Sequence, residues 1–139
     1  MKRIFASLLA VGLVEDLARD RHARAGGARG VLEREAHPEG GVDRLHEMAS
    51  QANFDDYFAL YAPDAVFIGT DAGERWTIDE FKAYAEPHFL VGRGWAYRTI
   101  ERHIMGEDSV RWFDELLWNE KLGPCRGSGV MVKVGNEWL

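Results

Sequence analysis

The hydrophobic positions of this chain follow two periods. Val42, Leu45, Met48, Ala49 and Ala52 recur at three and four residues, which predicts an amphipathic helix over 42–52. Asn53 can cap a second, short helix, with Asp55 and Asp56 in its first turn favouring the helix dipole. That helix ends near Tyr61, because the residue before Pro63 avoids the helical region. Short strands are expected over 65–70 and 74–76, joined by the turn Asp71-Ala72-Gly73. Thr77-Ile78-Asp79-Glu80 reads as a capping box, in which Thr77 caps and Glu80 reaches back. The helix behind it carries Phe81, Tyr84, Ala85 and Phe89, and ends near Gly92, with Pro87 kinking its last turn.

From Trp95 onward the period falls to two. Long strands are predicted over 95–105, 110–120 and 125–134, with turns at Gly106-Glu107-Asp108 and Gly123-Pro124. In VRWFDELLW, Val110, Trp112, Leu116 and Trp118 share one parity with Asp114. That parity is the more apolar, so it is expected on the core face, leaving Glu115 on the opposite, solvated one. In the next strand Val130, Val132 and Val134 share their parity with Ser128 and Arg126, which are expected inside as well. A carboxylate indoors is costly unless paired, and Arg126 is the expected partner of Asp114. Helices first and then a run of antiparallel strands predict an α+β fold. A curved sheet with helices across its concave face leaves a cavity.

Composition bounds the function. A chain of 139 residues is one domain with extensions. The net charge of −6 gives no general basic surface for nucleic acid. The single cysteine, Cys125, forms no internal disulfide framework and reads as a buried, inert thiol. No run reaches the roughly 18 apolar residues of a membrane span. The five histidines show no metal-ligand spacing, so no metal is expected. Lys2 and Arg3 followed by apolar 4–14 read as a secretory signal over 1–14, although Glu15 and Asp16 make a poor cleavage site. Export is the expectation; a short helix of a cytoplasmic protein is the alternative. Residues 15–41, with five glycines, five arginines and no aromatic residue, read as a linker or solvated extension. The folded domain is placed at 42–139.

Fifteen of the sixteen aromatic residues fall within 54–138, which suits an apolar core or an aromatic-lined pocket. Tyr57, Tyr61, Trp76, Trp95 and Trp112 are the candidate cavity walls, with core packing as the alternative. Asp114 and Arg126 are a candidate pocket pair, Arg126 orienting a ligand carboxylate or carbonyl through its planar fork; the alternative is a structural ion pair. His103 shares parity with Trp95, Tyr97 and Glu101 and is a candidate general base; the alternative is a histidine bonded at the rim.

The order of elements, with the phrases FDDYFALYAPDAVFIGTD, TIDEFKAYAEPHF, GWAYRTIERHI, WFDELLWNEKLGPCRGSGV and GNEW, resembles the SnoaL-like branch of the nuclear transport factor 2-like superfamily over about 43–139. The resemblance implies an α+β cone around a ligand cavity, a small-molecule ligand, a homodimer and no cofactor. It leaves two functions open. One is cofactor-independent acid–base catalysis of the isomerase, cyclase or dehydratase type, with His103 and Asp114 as catalytic residues and Arg126 orienting. The other is a non-catalytic ligand-binding or dimerisation module. Isomerases of the superfamily place a basic Asp after a D-A-x-x-x pattern. Here Gly69 follows Asp64-Ala65-Val66-Phe67-Ile68, so that base does not carry over. Relatives also continue as a long strand after a phrase like Gly135-Asn136-Glu137-Trp138. The expectation here is therefore a truncated last strand and an unpaired edge along 125–134.

Overall fold

The computed structural model describes residues 37–139. The signal read at 1–14 and most of the extension read at 15–41 lie outside the described residues. Helix α1 spans Pro38–Ser50, starting ahead of the Val42 that periodicity marks. Pro38 explains the early start, since its ring presets the helical φ and its missing N–H is not needed in a first turn. Val42, Met48 and Ala49 form the buried stripe of α1. Helix α2, Phe54–Ala59, is capped by the Asn53 side chain, which accepts from the Asp56 N–H. It buries Tyr57 and Phe58.

Strands β1 (Val66–Ile68) and β2 (Arg75–Thr77) make an antiparallel hairpin with Phe67 opposite Trp76. Its turn is tied down by the Glu74 carboxylate, which accepts from Thr70 N at 2.8 Å and Asp71 N at 3.2 Å. Helix α3, Ile78–Leu90, opens with the expected capping box: Glu80 accepts from Thr77 N at 2.7 Å, and Thr77 Oγ1 accepts from Glu80 N at 3.3 Å. Pro87 lies inside this helix, which runs on to Leu90. Gly92, at φ +69°, takes the left-handed turn that ends it.

The main sheet is antiparallel in the order β3 (Arg98–Met105), β4 (Val110–Asn119), β5 (Gly123–Val134), β6 (Glu137–Trp138). The helices pack on its curved inner face, giving the α+β cone. Two groups of buried side chains hold the layers together. Phe58, Phe81, Ala85 and Phe89 join α2 to α3. Val42 of α1 packs with Phe113, Met131 and Trp138 of the sheet. Trp138 is 6% exposed, with the Arg111 and Lys133 cations over its ring, so the two-residue β6 anchors one end of the sheet. It pairs with Lys133 and Val134, and Val132 exchanges backbone hydrogen bonds of 3.0 Å with Leu139. Among the described residues no strand lies beside the rest of that edge of β5. No helix here is long and apolar enough to cross a membrane.

The facing of the long strands corrects the expectation. In β4, Phe113, Glu115 and Leu117 are buried and point inward, whereas Val110 is 43% and Trp112 49% exposed on the outer face. In β5, Cys125, Gly127, Gly129 and Met131 are the buried parity, while Arg126 is exposed and Ser128 and Val130 are only partly covered. Val132 is the exception, buried where it meets Leu139. Asp114 and Arg126 therefore meet on the outer face. Counting apolar residues misled, because tryptophan tolerates a half-exposed outer face and a paired glutamate tolerates the interior. In β3 the pairing shifts between Thr99 and Glu101. This bulge breaks the parity that linked His103 to Trp95 and Tyr97. Thr99 and Arg102 are sheltered, and His103 is 55% exposed.

Candidate functional site

Between the sheet and the helices lies a cavity of about 360 Å3. Phe67, Trp76, Phe81 and Trp95 supply aromatic wall from the hairpin, α3 and the approach to β3. Phe113, Leu117 and Cys125 line it from the sheet, and Leu45, His46 and Tyr57 from α1 and α2. Apolar, concave sites with a few convergent polar groups are the usual form of small-molecule pockets.

The polar wall is built on Glu115, 2% exposed on β4. His46 follows Val42 by four residues and precedes Ala49 by three, so it shares their stripe on α1 and reaches the sheet. Its Nε2 lies 2.9 Å from Glu115 Oε1. The other carboxylate oxygen, Oε2, receives Arg102 Nε at 2.9 Å and Nη2 at 2.8 Å, with Thr99 Oγ1 at 3.3 Å. Arg102 in turn donates from Nη1 to Asp43 Oδ1 at 2.7 Å and to the Glu39 carbonyl at 3.3 Å. The chain Asp43–Arg102–Glu115–His46 thus runs from the surface to the cavity wall. Burial pushes the Glu115 carboxyl up. The hydrogen bond and charge of His46, and then those of Arg102, outweigh burial and hold it below the usual glutamate value. A carboxylate kept ionised in this way fixes the orientation of the imidazole it touches. Gly127 stands opposite Glu115; a Cβ there would come within 3.2 Å of Leu117 Cδ1 and 3.5 Å of Glu115 Oε1. Its bareness leaves room beside the carboxylate.

A second polar feature is the pair Tyr57 and Tyr61, whose hydroxyls are 2.7 Å apart. Trp95 Nε1 donates to the Tyr57 hydroxyl at 3.4 Å. Burial pushes Tyr57 up to about 12 and raises Tyr61 well above its ordinary value, so both are neutral phenols. Burial also raises Tyr97 and the Cys125 thiol, which keeps the latter protonated.

Of the residues singled out from sequence, Tyr57, Trp76 and Trp95 border the cavity. Tyr61 is buried behind Tyr57. Trp112 stands on the outer face, with His103, Asp114 and the Arg126 guanidinium. There His103 bridges Glu101 at 3.2 Å and Asp114 at 3.5 Å, and Arg126 donates to Asp114 at 3.2 Å. Arg126 borders the cavity, but its guanidinium turns to this outer chain. Glu115 was expected on the solvated face, and His46 and Arg102 were not singled out. The available signal was the stripe Val42–His46–Ala49, which puts a histidine on the core face of α1. Among the described residues no group of three or more His, Cys, Asp or Glu side chains is placed to hold a metal ion.

The model of the SnoaL-like domain family matches residues 41–139. A structure from Catenulispora acidiphila superposes with a TM-score of 0.54 at 18% identity, covering 81% of this chain and 88% of that one. A Nostoc punctiforme protein of unknown function with a cystatin-like fold gives 0.51 at 14% identity, over 70% and 78% of the two chains. A Xanthomonas campestris protein assigned as a calcium/calmodulin dependent protein kinase II association domain gives 0.50 at 17%, over 91% of each. At these identities the likenesses concern the fold. The comparison with curated proteins found no match.

Proposed function

The chain belongs to the SnoaL-like domain family of the nuclear transport factor 2-like superfamily, and from that premise we propose that its cavity binds a small, largely apolar organic molecule, with His46 as the acid–base group that meets it. The observation that carries this reading is the His46–Glu115 contact of 2.9 Å on the wall of an aromatic-lined cavity. Glu115 is locked by Arg102, so it orients the imidazole and balances the charge His46 acquires on taking a proton, the supporting role a carboxylate plays beside a catalytic histidine. The chemistry that fits is cofactor-independent proton transfer of the isomerase, cyclase or dehydratase kind. The acid–base role expected of His103 and Asp114 passes to His46, because those two side chains stand on the outer face of the sheet.

Tryptophan fluorescence tests the binding step, since Trp76 and Trp95 border the cavity. Titration with tetralin should quench or shift that emission to a plateau at one equivalent. Absence of saturable binding by tetralin and by naphthalene sinks the reading.

A homodimer is the second reading, favoured by a separate observation. The outer face carries Ile100, Met105, Val110 and Trp112, each between 40% and 49% exposed. An apolar face of this kind marks an interaction surface. The charged row Glu101–His103–Asp114–Arg126 beside it holds both signs, as a self-complementary interface requires.

A further inference from the structure

The outer face of the sheet holds a histidine between two carboxylates, away from the cavity. By strand register three rows cross that face: Glu101, Leu116 and Arg126; His103, Asp114 and Ser128; Met105, Trp112 and Val130. His103 Nε2 lies 3.2 Å from Glu101 Oε1, and its Nδ1 lies 3.5 Å from Asp114 Oδ1. A neutral imidazole carries one N–H, so it meets one carboxylate with a proton and turns a lone pair to the other. An imidazolium offers a proton to both. The charged groups facing His103 are Glu101 from β3, Asp114 from β4 and Arg126 from β5, since the helices pack on the opposite side of the sheet. Arg126 already answers Asp114 at 3.2 Å. Among the described residues Glu101 has no ion-pair partner besides His103; Arg98, opposite Trp118 on the same face, does not reach it. In water this is tolerable, because the Glu101 and His103 side chains are 58% and 55% exposed. A second copy laid on the face removes that water, and a carboxylate without a cation then becomes costly. The charge of Glu101 is balanced there once His103 takes a proton.

We propose that self-association of this chain through its outer sheet face is switched by His103, the imidazolium form closing the dimer and the neutral form loosening it. This deepens the reading of that face as a homodimer interface and rests on it. The dimer binds more protons than two separate copies, about two more by symmetry, one at each His103. Mass action therefore favours the dimer as pH falls through the histidine range of about 8 to 5, and the dimer weakens as pH rises.

The test is sedimentation equilibrium of the full chain at about pH 8 and about pH 5.5, on either side of the ordinary histidine value. Wild type should dimerise about tenfold or more tightly at the lower pH. His103→Gln stays neutral at both and should lose that gain. Glu101→Gln removes the carboxylate that demands the proton and should dimerise tightly at the higher pH as well. Both changes are at exposed positions, and circular dichroism should match wild type. The general loss of negative charge in acid acts on all three proteins alike, so the differences between them isolate His103. A wild-type dimer of equal strength at both pH values overturns the inference while leaving the homodimer reading intact. An acid gain kept in full by His103→Gln, or a Glu101→Gln dimer no tighter than wild type at the higher pH, overturns it too. If no dimer forms at either pH, the homodimer reading falls and this inference with it.

Discussion

Glu115 and Asp114 are neighbours on one strand with opposite fates. Glu115 is 2% exposed and held by Arg102 and His46; the Asp114 side chain is 37% exposed, and its pair with Arg126 lies in solvent. The two should therefore respond differently to neutralisation. Glu115→Gln leaves Arg102 short of a buried partner and should cost about 3 kcal/mol, the low end for breaking a buried pair, because Asp43 still holds the guanidinium. Asp114→Asn should cost under about 1 kcal/mol, as exposed ion pairs do. Denaturant melts of the two variants decide this, and similar losses would refute it. The acid side gives a second check. The folded Glu115 value lies below its unfolded one, so its contribution is full above the ordinary glutamate value of about 4.3. It fades as pH falls through the lower folded value. Glu115→Gln should flatten that part of the stability–pH curve. The interior position of Glu115 was not legible in the sequence. Parity can be read from a strand, but which parity faces in depends on partners that come from other elements, here His46 from α1 and Arg102 from β3.

At the scale of elements the sequence was far more readable, because the signals are local. The Thr77–Glu80 capping box, the Asn53 cap, the 71–73 turn and the three long strands are all present near their expected bounds. Local hydrogen-bonding chemistry fixes those, whereas the bulge at 99–101 that turns His103 outward carries no local mark. Two measurements follow. Thr77→Ala removes the cap of α3 and should cost about 1 kcal/mol. Phe81 is 1% exposed and stacks on Phe67 at 3.9 Å between centroids, joining α3 to the β1–β2 hairpin. Phe81→Ala should cost about 3–5 kcal/mol and loosen the hairpin that walls the cavity. Thermal melts giving the larger loss to Thr77→Ala would contradict this packing.

For the whole molecule, the cone and its cavity follow from amphipathic helices packed on the inner face of a curved sheet, and this much was legible from the order of elements. The outer face makes a separate demand. If Trp112 and its apolar neighbours are covered by a second copy, sedimentation should give a dimer. Trp112→Glu should give a monomer with unchanged secondary structure. A wild-type monomer at the highest attainable concentration would reject that assembly while leaving the cavity untouched. The cavity is tested most directly by following the histidine imidazole signals by NMR during a tetralin titration. Saturable displacement of the His46 resonances, absent when His46 is replaced by Ala, with those of His103 unmoved, is the predicted result. No saturable change at His46, or a change centred on His103, would contradict the assignment of the site.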